Sequence, residues 1–282
     1  MQIRPTPATL GATVVDVALA DIDDNDWSTI QAAFLDYGLL IFPNQNLNER
    51  EQLKFAKRFG EIEVLAEGYT TIPISNKDER GEFYATNSDR MQQLRGNEGW
   101  HTDSSYMPLS AKASILSAKI IPATGSSTEW ADMRAAYAAL DPTIKQKIAS
   151  LNAYHSYFYS QAKLGHKVEV GYGYGFFEGE SPLHPMVKIH PVTNKPALYI
   201  GRHAGQIVGM ELAESEALID ELMSFACQPP RIYTHQWGEG DIVVWDNRCL
   251  LHRAGVYDYS QERLMHHTRI KGDPASEAAL NA

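Results

Sequence analysis

Cysteine is scarce in this 282-residue chain: Cys227 and Cys249 are the only two, and they stand too far apart for a CxxC or zinc-ribbon spacing. A disulfide framework and a cysteine-based zinc module drop out, and both thiols are expected to be buried. No apolar run approaches the roughly 18 residues needed to span a bilayer, and Met1-Gln2-Ile3-Arg4-Pro5-Thr6-Pro7 has no apolar core behind a basic start. A cytoplasmic location with no membrane partner is expected. Positive charge is also short, since 25 Lys and Arg against 35 Asp and Glu leave a formal net charge of −10. Such a field repels phosphate backbones and anionic headgroups, which argues against nucleic acid as a partner. It repels a small acid too, so an anionic substrate would need a few local cations. Missing as well are a GxGxxG turn, a Walker A loop, an internal repeat and a Pro/Gly/Ser-rich linker. Residues 1–282 therefore read as a single domain without a nucleotide-binding α/β signature.

What remains is a chain of short, β-like segments with a few helices. Asn48 is a plausible N-cap with Glu51 three residues on, an apolar stripe at Leu53, Phe55, Ala56 and Phe59, and Gly60 as a stop. Further helices are predicted over Met133 to Leu140, after Asp141-Pro142, and over Glu214 to Cys227. Strands are predicted at Gly38 to Pro43, Ile115 to Ile120, Met186 to His190, Ala197 to Ile200, Arg231 to Gln236, Asp241 to Trp245 and Leu264 to Ile270. Many short strands with helices outside them favour a mainly β fold with helical decoration, and a double-stranded β-helix, or jelly roll, is the architecture expected.

Of ten histidines, only one opens a His-x-Asp pair, in Trp100-His101-Thr102-Asp103. On a strand, positions i and i+2 face the same side, so both side chains would point into one cavity. A third ligand must come from elsewhere, and His252 follows a strand, a turn and an apolar run. Two imidazoles and one carboxylate leave three positions of an octahedron open, which suits oxygen-activating Fe(II). A chelating 2-oxo acid and O₂ would fill those positions. For each histidine, the competing reading is a core imidazole bonded to a backbone carbonyl.

The last predicted strand adds support. If it runs extended, Arg263, Met265, His267 and Arg269 share one face, so two guanidiniums and an imidazole point the same way. Cations are costly to bury unpaired, so an inward face of this kind wants an anionic partner such as a dicarboxylate cosubstrate. A one-residue slip would instead leave these side chains solvated.

Taken together, Trp100-His101-Thr102-Asp103, Thr128-Glu129-Trp130-Ala131-Asp132-Met133, and Trp245-Asp246-Asn247-Arg248 with His252 and Arg263 eleven residues beyond it resemble the taurine/2,4-dichlorophenoxyacetate dioxygenase family. The likeness runs from Gly11 to about Asp273. Stretches such as Tyr159 to His166 and Gly201-Arg202-His203-Ala204 look most similar to the (S)-dichlorprop-type aryloxyalkanoate dioxygenases. The resemblance implies an oxidoreductase that depends on Fe(II), 2-oxoglutarate and O₂. It implies His101, Asp103 and His252 as iron ligands, with Thr128 and Arg263 at the far carboxylate of 2-oxoglutarate.

The resemblance also implies a small organic acid as substrate, with Asn97 and Ser104 at substrate-pocket positions. Where taurine- and phenoxyacetate-type members carry a substrate-binding arginine four residues beyond the cosubstrate arginine, this chain has His267, which puts taurine-like sulfonates in doubt. His267 and Arg269 are taken as substrate-binding in its place. The stretch from Tyr154 to Gly179, rich in Tyr, Phe and Gly, is expected to be a lid-like insert over about residues 154–180. Homo-oligomeric assembly is expected. A jelly-roll zinc hydrolase is the alternative from another class, but it would have no need of Thr128 and Arg263.

Overall fold

Period-two burial on a few strands organises this molecule. A computed structural model describes residues 1–64, 68–166 and 179–282. The strands in chain order are β1 (Gln2–Pro5), β2 (Ala12–Val15), β3 (Leu39–Phe42), β4 (Ile72–Ser75), β5 (Ala113–Ile120), β6 (Ser127–Asp132), β7 (Asn152–His155), β8 (Leu183–Pro185), β9 (Val187–Ile189), β10 (Pro196–Leu198), β11 (Ala204–Ile207), β12 (Ile232–Gln236), β13 (Ile242–Asp246), β14 (Leu250–Ala254) and β15 (Leu264–Ile270). The α-helices are α1 (Asp24–Tyr37), α2 (Glu49–Ala56), α3 (Asp89–Gly96), α4 (Met133–Ala139), α5 (Pro142–Ile148), α6 (Tyr157–Ala162) and α7 (Leu212–Ala226).

Seven strands form the main sheet in the order β1-β2-β3-β13-β5-β15-β4, and β12-β6-β14 form a smaller one. In β13 the alternation is explicit. Val243 and Trp245 pack into a core with Trp130, Met133, Leu251 and Met265, whereas Ile242 and Val244 pack on the opposite face with Phe34, Phe42 and Phe55. The same division separates Leu39 and Ile41 from Leu40 and Phe42 on β3. One face of the main sheet is thus covered by α1 and α2, and the other looks toward the smaller sheet. Covering both faces explains why Ile242-Val243-Val244-Trp245 reads as an unbroken apolar run.

The capping box on α2 forms as expected, with Asn48 accepting from the Glu51 amide and Glu51 accepting from the Asn48 amide. The helix itself ends at Ala56, four residues before Gly60. Cys249 is buried but Cys227 is only half-buried at the end of α7, which corrects the expectation for that thiol. Among the described residues, no helix is long and apolar enough to cross a membrane. Of the predicted lid, Tyr154 and His155 end the strand Asn152–His155, Tyr157–Ala162 is a helix, and residues 167–178 lie outside the described residues.

Candidate metal centre and active-site cavity

Between the two sheets lies a cavity. The main sheet contributes Ile74, Leu116, Trp245, Arg263, His267 and Arg269 to its wall, and the smaller sheet contributes Thr128, His252 and Ala254. Asn97, His101, Asp103, Tyr106, Tyr157 and His203 close it from the connecting segments.

His101, Asp103 and His252 are all buried, and one ligating atom from each lies within 4.8 Å of the others. They meet by a different local route from the expected strand. His101 is a single bridge residue, exchanging backbone hydrogen bonds of 2.9 and 2.8 Å with His252 on β14. Asp103 sits on the turn that follows, where Ser104 takes a left-handed φ of 55°. The turn, rather than strand alternation, therefore aims the carboxylate.

Hydrogen bonding fixes what His101 can offer. Its Nδ1 lies 2.8 Å from the Gly99 carbonyl, which only accepts, so Nδ1 carries the proton and Nε2 keeps its lone pair. Burial, reinforced by the neighbouring His252, pushes the His101 pKa well below its ordinary value. Burial also lowers His252, to about 4. Burial alone would raise the Asp103 carboxyl, but Arg269, His252 and His267 more than offset it and hold the group well below the usual carboxylate range. Two neutral imidazoles and one carboxylate are the protonation states a divalent cation requires.

Asp103 is also held from behind. Ser114 Oγ donates to Oδ2 at 2.6 Å, and Arg269 Nη2 lies 3.6 Å from Oδ1. His267 Nε2 is 3.3 Å from Oδ2 without hydrogen-bond geometry, so the contact is electrostatic. Arg269 Nη1 donates to Ser104 Oγ, which donates in turn to Glu63. Thus His267 and Arg269 reach the cavity as expected, His267 beside Asp103 and Arg269 between Ser104 and Asp103. Ser104 is committed to the wall and does not line the cavity.

Thr128 and Arg263 converge on the same cavity. The Trp237 indole donates to Thr128 Oγ1 at 2.9 Å, which leaves the threonine hydrogen for a ligand. Arg263 is buried, donates from Nε to Ser126 Oγ at 2.7 Å and lies beside the Tyr257 ring. No ion pair among the described residues involves it, and burial lowers its pKa. The burial along β15 rules out the slipped register, because Met265, His267 and Arg269 are buried while Leu264 and His266 are partly exposed.

A second guanidinium with no ion pair among the described residues belongs to Arg202, whose Nη2 donates to Ser160 Oγ at 3.4 Å. Nε and Nη1 of Arg202 are buried with no hydrogen-bond partner among the described residues, and its charge bears on His101. It passes beneath Gly96 and Gly99. A Cβ on Gly96 would come within 2.7 Å of Arg202 Nη1, and one on Gly99 within 3.1 Å of its Cδ. The next residue, His203, stacks on Tyr157 and meets Tyr106 edge-on, making an aromatic wall. The glycines flanking Trp100-His101 were the available signal.

Comparison with known proteins is consistent with this geometry. Residues 2–270 match the family model described as taurine catabolism dioxygenase TauD, TfdA family. The chain is 51% identical to an (S)-phenoxypropionate/alpha-ketoglutarate-dioxygenase of Sphingobium herbicidovorans, covering 99% of this chain and 97% of that protein. A protein of the same name from Delftia acidovorans is 48% identical, with 99% and 98% covered. Among solved structures, AAD-2 in complex with Mn(II) and N-oxalylglycine superposes with a TM-score of 0.89 at 35% identity, over 96% of each chain.

Proposed function

The chain belongs to the TauD/TfdA dioxygenase family, and from that premise we propose that it oxidises an aryloxyalkanoate-like acid, cleaving it to a phenol and a 2-oxo acid. Its dependence on Fe(II), 2-oxoglutarate and O₂ follows from the family. The observation that carries the site assignment is one cavity in which three buried metal-ligating side chains stand near a buried arginine that has no ion pair among the described residues. In this reading His101, Asp103 and His252 hold the metal, and Thr128 and Arg263 hold the far carboxylate of 2-oxoglutarate. The facing sheets then form the double-stranded β-helix. The zinc-hydrolase alternative gives no account of Arg263 and is set aside by the family.

When bound, iron with 2-oxoglutarate and O₂ supplies oxidation of a C–H bond to C–OH, with succinate and CO₂ as co-products. The protein's own task is placement. Arg202, which lies beside the cavity under Gly96 and Gly99 with no ion pair among the described residues, is suited to the substrate's acid group, and Tyr106, Tyr157 and His203, which line the cavity, are suited to an aryl ring. Asn97, His267 and Arg269 complete the polar edge, the last two through Asp103. Hydroxylation beside the ether oxygen gives a hemiketal or hemiacetal that collapses to the two products. The names of the relatives at 51% and 48% identity support this substrate class.

The test is succinate and phenol release under air with Fe(II), ascorbate and 2-oxoglutarate. The panel holds (R)- and (S)-aryloxypropionates, phenoxyacetates and alkylsulfonates. One phenol per succinate from an aryloxyalkanoate is expected. Coupled turnover confined to sulfonates would reject the substrate class.

A further inference from the structure

We infer that Asn247 and Ser114 are positioning residues that set the metal-facing geometry of Asp103, through a hydrogen-bond relay whose direction is fixed by the Trp245 indole. The inference rests on Asp103 being a metal ligand.

Four side chains form the relay, none more than 3% exposed. Trp245 Nε1 can only donate, and it lies 2.9 Å from Asn247 Oδ1. That contact settles the amide orientation, so Asn247 Nδ2 must point the other way, where it donates to Ser114 Oγ at 2.9 Å. Having accepted that bond, the serine directs its own hydrogen to Asp103 Oδ2 at 2.6 Å. Every polarity follows from the first donor, and the chain ends on a carboxylate that can only accept.

The backbone makes the relay rigid. Ser114 is in register with Trp245 on one side and with Arg269 on the other, so the hydroxyl sits mid-sheet between a cavity wall and the cation facing Asp103. Thr102 Oγ1 donates to the Asn247 carbonyl at 2.9 Å, pinning the residue before Asp103 to the same turn. Oδ2 is thereby held by a donor on the main sheet while Arg269 approaches Oδ1. Losing the relay would free the carboxylate to rotate toward Arg269 and His267, away from the two histidines. Partners of this kind that orient ligating groups are worth about 10–100-fold in metal affinity.

The test titrates Co(II) into the purified metal-free protein, following its visible ligand-field spectrum and the dissociation constant. Ser114→Ala is expected to raise the constant about 10–100-fold and alter the spectrum, and Ser114→Thr, which keeps the hydroxyl, to recover most of the loss. Asn247→Asp is nearly isosteric but cannot donate to Ser114, so it should match or exceed Ser114→Ala, and it carries the test if Ser114→Ala does not fold. In the double variant the relay predicts a loss well short of the product of the two single losses, because both break one chain. Unchanged affinity and spectrum in either single variant, or fully multiplicative losses, would overturn the inference. Failure of the underlying assignment looks different: the unaltered protein would then bind Co(II) no more tightly than its His101→Ala variant.

Discussion

Replacing Arg263 by methionine should move stability and ligand binding in opposite directions. The guanidinium is buried against Tyr257 with one hydrogen bond to Ser126 and no ion pair among the described residues. An uncompensated buried cation costs folding free energy, whereas an apolar side chain of similar volume does not. Without cosubstrate, Arg263→Met should therefore melt at the same temperature as the unaltered protein or higher. With a dicarboxylate bound, the variant loses a charge-assisted fork worth about 3 kcal/mol, or roughly 100-fold in affinity. At a concentration of N-oxalylglycine one hundred times the unaltered protein's dissociation constant, ligand stabilisation is about 2.7 kcal/mol. The variant, with its constant raised to that concentration, gains about 0.4 kcal/mol. For a chain of this size those figures correspond to shifts of about 5 °C and about 1 °C. Differential scanning fluorimetry with Mn(II), with and without the ligand, reads both quantities. A variant that melts several degrees lower when empty, or that keeps the full ligand-induced shift, would refute the reasoning.

Chelation should abolish succinate formation, with Fe(II) restoring it and Zn(II) occupying the site without turnover, as an oxygen-use assay would register. Gly96→Ala places a methyl against flexible side-chain ends, Arg202 Nη1 and Gln161 Nε2. It should fold normally, raise the substrate KM roughly tenfold by displacing one charge-assisted contact, and leave the KM for 2-oxoglutarate unchanged; equal rises in both would remove Arg202 from the substrate site. His155 is fully buried against Tyr199, with neither ring nitrogen partnered among the described residues, and burial lowers its pKa to about 3. The unfolded chain takes up that proton first as pH falls through about 6.5, so stability is complete above that value and drains away toward pH 3. His155→Phe should flatten this acid limb in melting temperature against pH, and parallel curves would count against the assignment.

Much of the site could be read before the fold was known, because its chemistry is concentrated in uncommon residue types at telling intervals. Met265, His267 and Arg269 alternate on a seven-residue strand long enough for period two to be visible, with Arg263 immediately before it, and the structure buries all four. Asp103 was paired with His101 for the wrong local reason, since both sequence and outcome allow i and i+2 to converge but only coordinates distinguish a strand from a turn with one left-handed residue. Strands of three or four residues such as β7, β8 and β11 offer too few positions for any period to register. Helix α3 carries Gln, Arg and Gly where an apolar stripe would announce it. The state of Arg202 is not legible in the sequence, because the lack of an ion pair among the described residues is a property of its surroundings and not of its neighbours in sequence.

The paired backbone bonds between His101 and His252 bear on the order of assembly. These residues stand far apart along the chain, and the loop between them must close before either imidazole acquires its place. Peptide groups, rather than an ion, then dictate the spacing of the two rings. Whatever ion the site takes, the register of two distant segments sets how far apart its two imidazoles stand.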